Sequence, residues 1–424
     1  WPQPARVRQH QHRQIRQRMG LGLGVSAITT LLTIGIRWLG GLQSWEMAAY
    51  DRFVRSQTAS PPEQTTLIVK ITESELDPDS DKSISDASLD ALLTKLYAAE
   101  PRIVGLDIFR DFPIDPEHEQ LSKYFADGER LITLCGAAAS ETGKAAVEPS
   151  PSADPDGIGF SDIVNDADRV YRRHLLAMDP QAGPCQTDLA FATLLAFAYL
   201  KADGIELIPD SIAGRWIWGE RQIPLLKAHQ GGYHREDMAG DSILLNYRIP
   251  RVPGESGFQE VTLTDVLAGN VSDTLIRDRI VLIGTDASSI EDETLTPLFD
   301  QFGKKQLMPG VVYQAHAANQ LVDIVLGRRR LLRPAPRWID SLIILGLAAT
   351  GSILGWRYRR LEVLGLWSGI AILGWYGTAW ITFIGFGLWL PLVPGVLALG
   401  GSSLGFWLCD RMLATLNPKK TENY

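Results

Sequence analysis

What most limits the folds open to this chain is where its negative charge is missing. Residues 1–43 contain no Asp or Glu at all. Of the 49 acidic residues, 45 fall between Ser44 and Gly327, against 24 of the 41 basic ones, so the middle carries −21 and the two ends together +13. Four stretches in those ends are long and apolar: residues 19–42 ("MGLGLGVSAITTLLTIGIRWLGGL"), 338–356, 363–385 and 388–409. A helix needs about 20 mostly apolar residues to cross the hydrocarbon of a bilayer. Buried core helices are the competing explanation, and the last three stretches argue against it by following one another with almost no charge inside. A cleaved leader does not fit the first, whose apolar run is too long and lacks a small-residue cleavage site. The chain therefore reads as four transmembrane helices and one acidic domain between the first and second.

Basic residues in short flanks set orientation. Five Arg precede the first helix, "RYRR" (residues 357–360) joins the second and third, and Arg411, Lys419 and Lys420 follow the fourth. All fall on one side if both termini are cytoplasmic. Residues 1–18 and 410–424 are then short cytoplasmic segments, and residues 44–337 lie outside, in a periplasm if the membrane is a bacterial inner membrane. The run "GRRRLLRPAPR" (residues 327–337) resists this arrangement, being strongly basic and outside. An acidic outer domain gives no surface for nucleic acid. In an oxidising compartment Cys135 and Cys185 are able to pair, or to remain two buried thiols.

The middle segment alternates strands and helices. "TTLIVKIT" (65–72), "RIVGLDIF" (102–109), "RLITLCGAA" (130–138), "VYRRHLLAMD" (170–179), "SILLNYRI" (242–249) and "RIVLIGT" (279–285) read as strands. Helices are expected at 88–100, 116–127, 189–203, 262–269 and 309–326. The 189–203 segment is too short to span and reads as a core helix. The pattern gives an α/β domain with a mostly parallel central sheet and helices on its faces.

In order and spacing, "AAYDRFVR" with Asp51 and Arg52, "LIVKITESEL", "AAEPRIVGLDIF", "DRIVLIGTDASS" with Gly284, "TPL", and "MPGVVYQAHAANQLV" with Pro309 and Gly310 resemble the CHASE2 family of extracytoplasmic sensor domains in bacterial signalling proteins. The resemblance covers about Ser44 to the end of the fourth helix, with one helix before the sensor and three after. It implies a sensory, non-catalytic role, brings no established set of binding residues, and calls for a cytoplasmic output domain. That domain is expected upstream of residue 1, for example a caspase-like CHAT peptidase, or on a partner protein. A membrane scaffold that binds another protein constitutively is the alternative. A periplasmic hydrolase is disfavoured, since neither a G-x-S-x-G nucleophile nor a zinc-spaced Cys/His cluster occurs.

The loop "LIGTDASSIEDE" is not a dinucleotide fingerprint, which needs three glycines entering a helix. It also faces away from the cytoplasmic nucleotide pool, and no cofactor is called for. Gly284 reads as a tight exit from the strand. Ligands of open α/β sheets bind at the carboxyl ends of strands. If the strands at 102–109 and 279–285 are neighbours, Asp107, Asp111, Thr285 and Asp286 frame one cleft there, with Glu291–Glu293 close by. Unpaired carboxylates repel, so a cation or cationic ligand suits the cleft, against helix capping and a solvated loop as the plainer reading. The sequence does not assign a metal. His316 reads as a structural histidine. Each membrane helix holds a G-x-x-x-G (Gly20/Gly24, Gly351/Gly355, Gly365/Gly369, Gly401/Gly405), a pattern that allows close helix contact and, with it, a homo-oligomer. Arg37 and Asp340, both near the outer interface, are expected either to pair or to snorkel separately to the headgroups.

Overall fold

The computed structural model describes residues 4–60, 63–77, 84–137, 145–180, 183–236, 238, 240–290, 292–300 and 302–416. Glu291, Lys419, Lys420 and the first residues of the 143–157 loop lie outside the described residues. The chain begins with α1 (Pro4–Trp38), α2 (Gln43–Arg55), β1 (Thr66–Thr72), α3 (Asp86–Ala98), β2 (Ile103–Asp107), α4 (Glu119–Phe125), β3 (Leu131–Cys135) and β4 (Ile158–Phe160). It continues with β5 (Arg173–Ala177), α5 (Phe191–Lys201), β6 (Leu207–Asp210), β7 (Arg215–Trp218), β8 (Arg221–Pro224), β9 (Asp241–Leu244), β10 (Gln259–Thr262), α6 (Leu263–Ala268) and α7 (Asp273–Ile276). It ends with β11 (Ile280–Asp286), β12 (Glu293–Phe299), β13 (Lys305–Pro309), α8 (Gly310–Val325), α9 (Arg337–Arg357), α10 (Leu361–Phe386) and α11 (Leu392–Leu416). These elements form two compact units: residues 1–53, 227–237 and 333–424 in one, and 54–226 and 238–332 in the other.

The second unit is built on a six-stranded sheet in the order β10-β1-β11-β2-β3-β4, parallel throughout. The central strands are buried on both faces, which is why their sequences run apolar without alternation. On one face Val69, Ile283 and Leu106, in register across β1, β11 and β2, pack against Leu89, Leu92, Leu93 and Leu96 of α3. Each of those wholly buried leucines contributes about 1.5–3 kcal/mol of transfer free energy. Ser85 starts α3 by accepting the Ser88 amide at 3.2 Å, and Pro101 follows its end. On the opposite face Gly105 lies under Leu195 of α5, where a Cβ would come within 2.9 Å of the leucine's methyls. The 189–203 segment is therefore a core helix, with Phe191, Leu195 and Leu200 wholly buried.

The strands read at 170–179 and 242–249 do not join the parallel sheet. β5 and β9 pair antiparallel with each other. Their Arg173 and Asp241 ends are polar, and Asp166 holds Arg172 at 2.8 Å and Arg173 at 2.9 Å. Such a pair suits a two-strand ladder better than a strand covered by helices on both sides. Three short strands, β6, β7 and β8, form a separate meander, and β12 and β13 form a hairpin. Cys135 at the end of β3 is disulfide-bonded to Cys185, with Cα atoms 5.4 Å apart, within a small cluster that includes Phe160, Leu175 and Ala190.

Among the described residues, the first unit holds four helical segments long and apolar enough to cross a membrane: Ile15–Trp38, Arg337–Arg357, Leu361–Phe386 and Leu392–Leu413, of 24, 21, 26 and 22 residues. At 1.5 Å per residue each exceeds the roughly 30 Å hydrocarbon thickness. The glycine pattern of α9 is used within the chain. A Cβ on Gly355 would lie 2.6 Å from the Ser403 carbonyl of α11, and Gly351 faces the Leu399 carbonyl as closely. Ser402 donates to the Ala348 carbonyl at 2.7 Å, and Ser26 of α1 donates to Ser352 at 2.9 Å. Gly401 and Gly405 face Thr29 and Val25 at 3.4 Å, whereas Gly20, Gly24, Gly365 and Gly369 face open space. Arg18 and Asp410 pair at 3.1 Å, bringing the first turns of the α1 span and the end of α11 to the same end of the bundle.

Candidate functional site

The carboxyl ends of β10, β1 and β11 form the most chemically diverse edge of the sheet. Lys70, Gly284 and Asp107 sit side by side in register on β1, β11 and β2, so they share one face. α8 begins on that face. A Cβ at Gly284 would lie 2.5 Å from the Cβ of Val311. Gly284 is thus not a strand exit, since β11 continues through Asp286. It is glycine because the first turn of α8 occupies the space a side chain would fill. Gly310 is set by the same crowding: its amide donates to the Asp292 carbonyl at 2.9 Å, and a Cβ there would run into the Asp292 carboxylate. Pro309, the N-cap residue of α8 and the last of β13, fixes the corner between hairpin and helix.

Lys70 is the centre of the edge. Its ammonium lies 2.7 Å from the Asp286 carboxylate and 2.7 Å from that of Glu260 on β10. Burial works against its charge, but the two hydrogen bonds outweigh it and hold the ammonium pKa above its ordinary value. Two cavities open here. The larger, about 690 Å³, is lined by Lys70, Glu260, Asp286, Glu293, Arg251 and Phe258 among others. The smaller, about 370 Å³, is lined by Thr285, Glu73 and Asp292, and shares Asp286, Glu293 and Pro309 with the first. Glu73 accepts the Ser289 amide at 3.0 Å and tethers the loop after β11.

The four expected ligand residues divide. Thr285 and Asp286 line the recess. Asp107 neighbours Gly284, as expected of adjacent strands, but it sits beneath the start of α8 and lines neither cavity. Burial, and then the charge of Asp292, push its carboxyl well above the usual range. Asp111 is exposed on the loop after β2 and lines neither cavity. A single cleft of unpaired carboxylates is therefore not what the fold builds, because Asp107 and Asp111 line neither cavity and Lys70 pairs with Asp286. Lys70 and Glu260 were not singled out in the sequence. The available signal was a lysine inside "LIVKIT", a charge in a strand otherwise buried on both faces.

The first unit has a second polar centre. Arg37 near the end of α1 donates to both Glu46 carboxylate oxygens at 3.0 and 3.1 Å, to Asp340 of α9 at 2.8 Å, and to the Gly231 carbonyl at 2.7 Å. All three charged side chains are buried: Arg37 is 7% exposed, Glu46 2% and Asp340 3%. The sequence suggested the Arg37–Asp340 contact but not Glu46, nor the segment 227–236 between β8 and β9. That segment docks through Gln43, whose side-chain carbonyl accepts the His234 and Arg235 backbone amides at 3.0 and 2.9 Å. Gly231, at φ +56°, sits against the Trp389 ring, 2.6 Å from where its Cβ would be, so only glycine fits. Burial pushes the Glu46 carboxyl up to about 7, against the pull of Arg37 and with a smaller push from Asp340. Also on α2, Asp51 is buried and Arg52 exposed.

Among the described residues no group of three or more His, Cys, Asp or Glu is arranged to hold a metal ion. Neither the curated proteins nor the solved structures contain a match to the chain. One family pattern, that of the CHASE2 domain, matches residues 28–353, from within α1 to within α9.

Proposed function

From the membership of this chain in the CHASE2 domain family of extracytoplasmic sensors, we propose that it is a multi-pass receptor of a bacterial inner membrane. It passes an external signal inward to an output domain, upstream in the same polypeptide or on a partner, and is not itself catalytic. Both termini are cytoplasmic in this reading and residues 44–337 are periplasmic. The pairing of Arg18 with Asp410 at one end of the bundle supports it by keeping the two termini together.

The ligand enters the Lys70 recess. Its lining carries four carboxylates, Glu255, Glu260, Asp286 and Glu293, against Lys70 and Arg251. That balance favours a cationic, amine-bearing ligand that competes with Lys70 for Asp286. Displacing Lys70 perturbs the edge on which Pro309 and α8 begin, and the chain then runs on from α8 to α9. Segment 227–236 offers another route, since it is tied to Arg37 and Gln43 while its ends continue into β8 and β9. The observation that carries the reading is the family match, and the test is ligand-dependent melting of the full chain in nanodiscs. Putrescine, spermidine, Ca²⁺ and Mg²⁺ are the probes. A stabilising probe whose effect disappears in Asp286→Asn/Glu293→Gln supports the site. If none of the four shifts the parent, the cationic ligand is rejected.

A scaffold that binds another protein constitutively draws on one observation, the exposed Phe299, Phe302 and Leu307 at the β12–β13 hairpin. A stable protein partner together with no ligand response would favour it. The homo-oligomer stays part of the proposal, with the open glycine faces of α1 and α10 as its contact surface.

A further inference from the structure

The amino ends of the same strands carry a different chemistry. Thr65 precedes β1 and Arg279 precedes β11, and the Ile280 amide donates to the Thr65 carbonyl at 2.9 Å, so the two stand side by side. A cavity of about 640 Å³ opens there, lined by Glu63, Thr65, Arg248, Arg277, Arg279 and Arg328 among others.

The carboxylates around it are engaged. Glu63 accepts the Thr65 amide at 2.8 Å and pairs with Arg248, which also holds Asp323 at 2.8 Å. Glu100 pairs with Arg277 at 3.3 Å, and Asp278 with Arg102 at 2.6 Å. Arg279 and Arg328 hydrogen-bond neutral acceptors among the described residues, although the Glu63 charge also acts on Arg279. Arg279 donates to the Gln259 side-chain carbonyl, and Arg328 to the Thr65 hydroxyl at 3.1 Å. Arg329, next in sequence, donates to the Tyr247 carbonyl at 3.1 Å, and burial followed by the charge of Arg248 pushes its pKa down to about 10. Positive charge is therefore in excess at this edge. A guanidinium satisfied only by neutral oxygens keeps free N–H groups in the fork geometry that matches a carboxylate or phosphate.

We propose that this cavity binds an oxyanion of the phosphate type, held by Arg279 and Arg328 together with the Thr65 hydroxyl. This gives a role to Arg328, the first residue of the basic "RRR" run that the charge rule for membrane topology leaves unexplained. The anion is either a soluble phosphate compound or a phospholipid headgroup. In sequence the cavity is framed by the two connections to the apolar helices, Glu63 and Thr65 following α2 and Arg328 preceding α9. It lies at the opposite ends of the strands from the Lys70 recess, so its test is independent of that site.

The experiment is thermal melting of the full chain in nanodiscs. In neutral phosphatidylcholine discs, inorganic phosphate is compared with NaCl at equal ionic strength. In the second arm, discs containing phosphatidylglycerol are compared with phosphatidylcholine alone. Phosphate at about five times its Kd should raise Tm by about 2–4 °C, and Arg279→Gln/Arg328→Gln should abolish the rise. Arg277→Gln, whose parent side chain already has Glu100, should keep it. A rise in the lipid arm only, lost in the same variant, assigns the site to a headgroup. If the double variant fails to fold, Arg328→Gln alone carries the comparison, because Arg328 is exposed. No rise in either arm, or a rise that survives removal of these arginines, overturns the proposal.

Discussion

Replacing Arg37 by methionine tests how the first unit is held together. The guanidinium serves two buried carboxylates and a backbone carbonyl, with four hydrogen bonds of 2.7–3.1 Å. A methionine fills similar volume but leaves Glu46 and Asp340 facing each other without a counter-charge, and leaves the Gly231 carbonyl without its donor. Breaking a buried ion pair from one side costs about 3–5 kcal/mol. For a unit of this size that is a fall in Tm of roughly 6–20 °C. Segment 227–236 should loosen as well, so trypsin should cut at Arg235 faster than in the parent. Both effects should be largely reversed in the triple variant Arg37→Met/Glu46→Gln/Asp340→Asn, where no charge of this network remains, since neutral replacement of a whole buried ion network is often tolerated. A Tm within 2 °C of the parent together with unchanged cleavage at Arg235 would refute the reasoning.

Gly284→Ala forces a Cβ against Val311 and should destabilise the second unit by about 1–3 kcal/mol, read as a lower denaturation midpoint; Thr285→Ala next to it should be nearly silent. Cys135→Ser/Cys185→Ser opens a crosslink between residues 50 apart in sequence and should cost about 2–4 kcal/mol, measurable equally as the effect of reductant on the parent's melting. Glu46 has a folded pKa raised to about 7 from 4.5, so the share of stability it contributes is fully present below pH 4.5 and is lost as pH rises through about 7. The parent should therefore lose stability relative to Glu46→Gln over that window, and a difference independent of pH would remove Glu46 as the titrating group.

How much of this was legible depended on whether the signal was local. β1, β2 and β11 announced themselves because strands covered on both faces leave uninterrupted apolar runs. α5 was separable from a membrane span by length alone. β10 was missed because "QEVT" at the sheet edge has no apolar run, whereas α2 went unread although Met47, Tyr50 and Val54 are buried at helical spacing. The Gly284 reading failed for a related reason. A glycine at a strand end is ordinarily turn chemistry, and nothing local reveals a helix start 26 residues later pressing on it. The partners of Arg37 and Gln43 lie 190 or more residues away at Gly231, His234 and Asp340, so only Glu46 was within reach of a local reading. The glycine pairs looked equivalent in sequence, yet those of α9 press on a neighbouring helix backbone while those of α10 face open space.

The most direct test of the receptor reading is the sidedness of two single cysteines in a Cys409→Ser background. Ile212→Cys lies on the turn between β6 and β7, where Ile212 is fully exposed. Arg359→Cys lies in the exposed link between α9 and α10. In intact cells with a permeabilised outer membrane, an impermeant maleimide should label Ile212→Cys at once and Arg359→Cys only after the inner membrane is opened. Labelling of Arg359→Cys in intact cells, or protection of Ile212→Cys, would contradict a sensor domain displayed outside the membrane with both termini within.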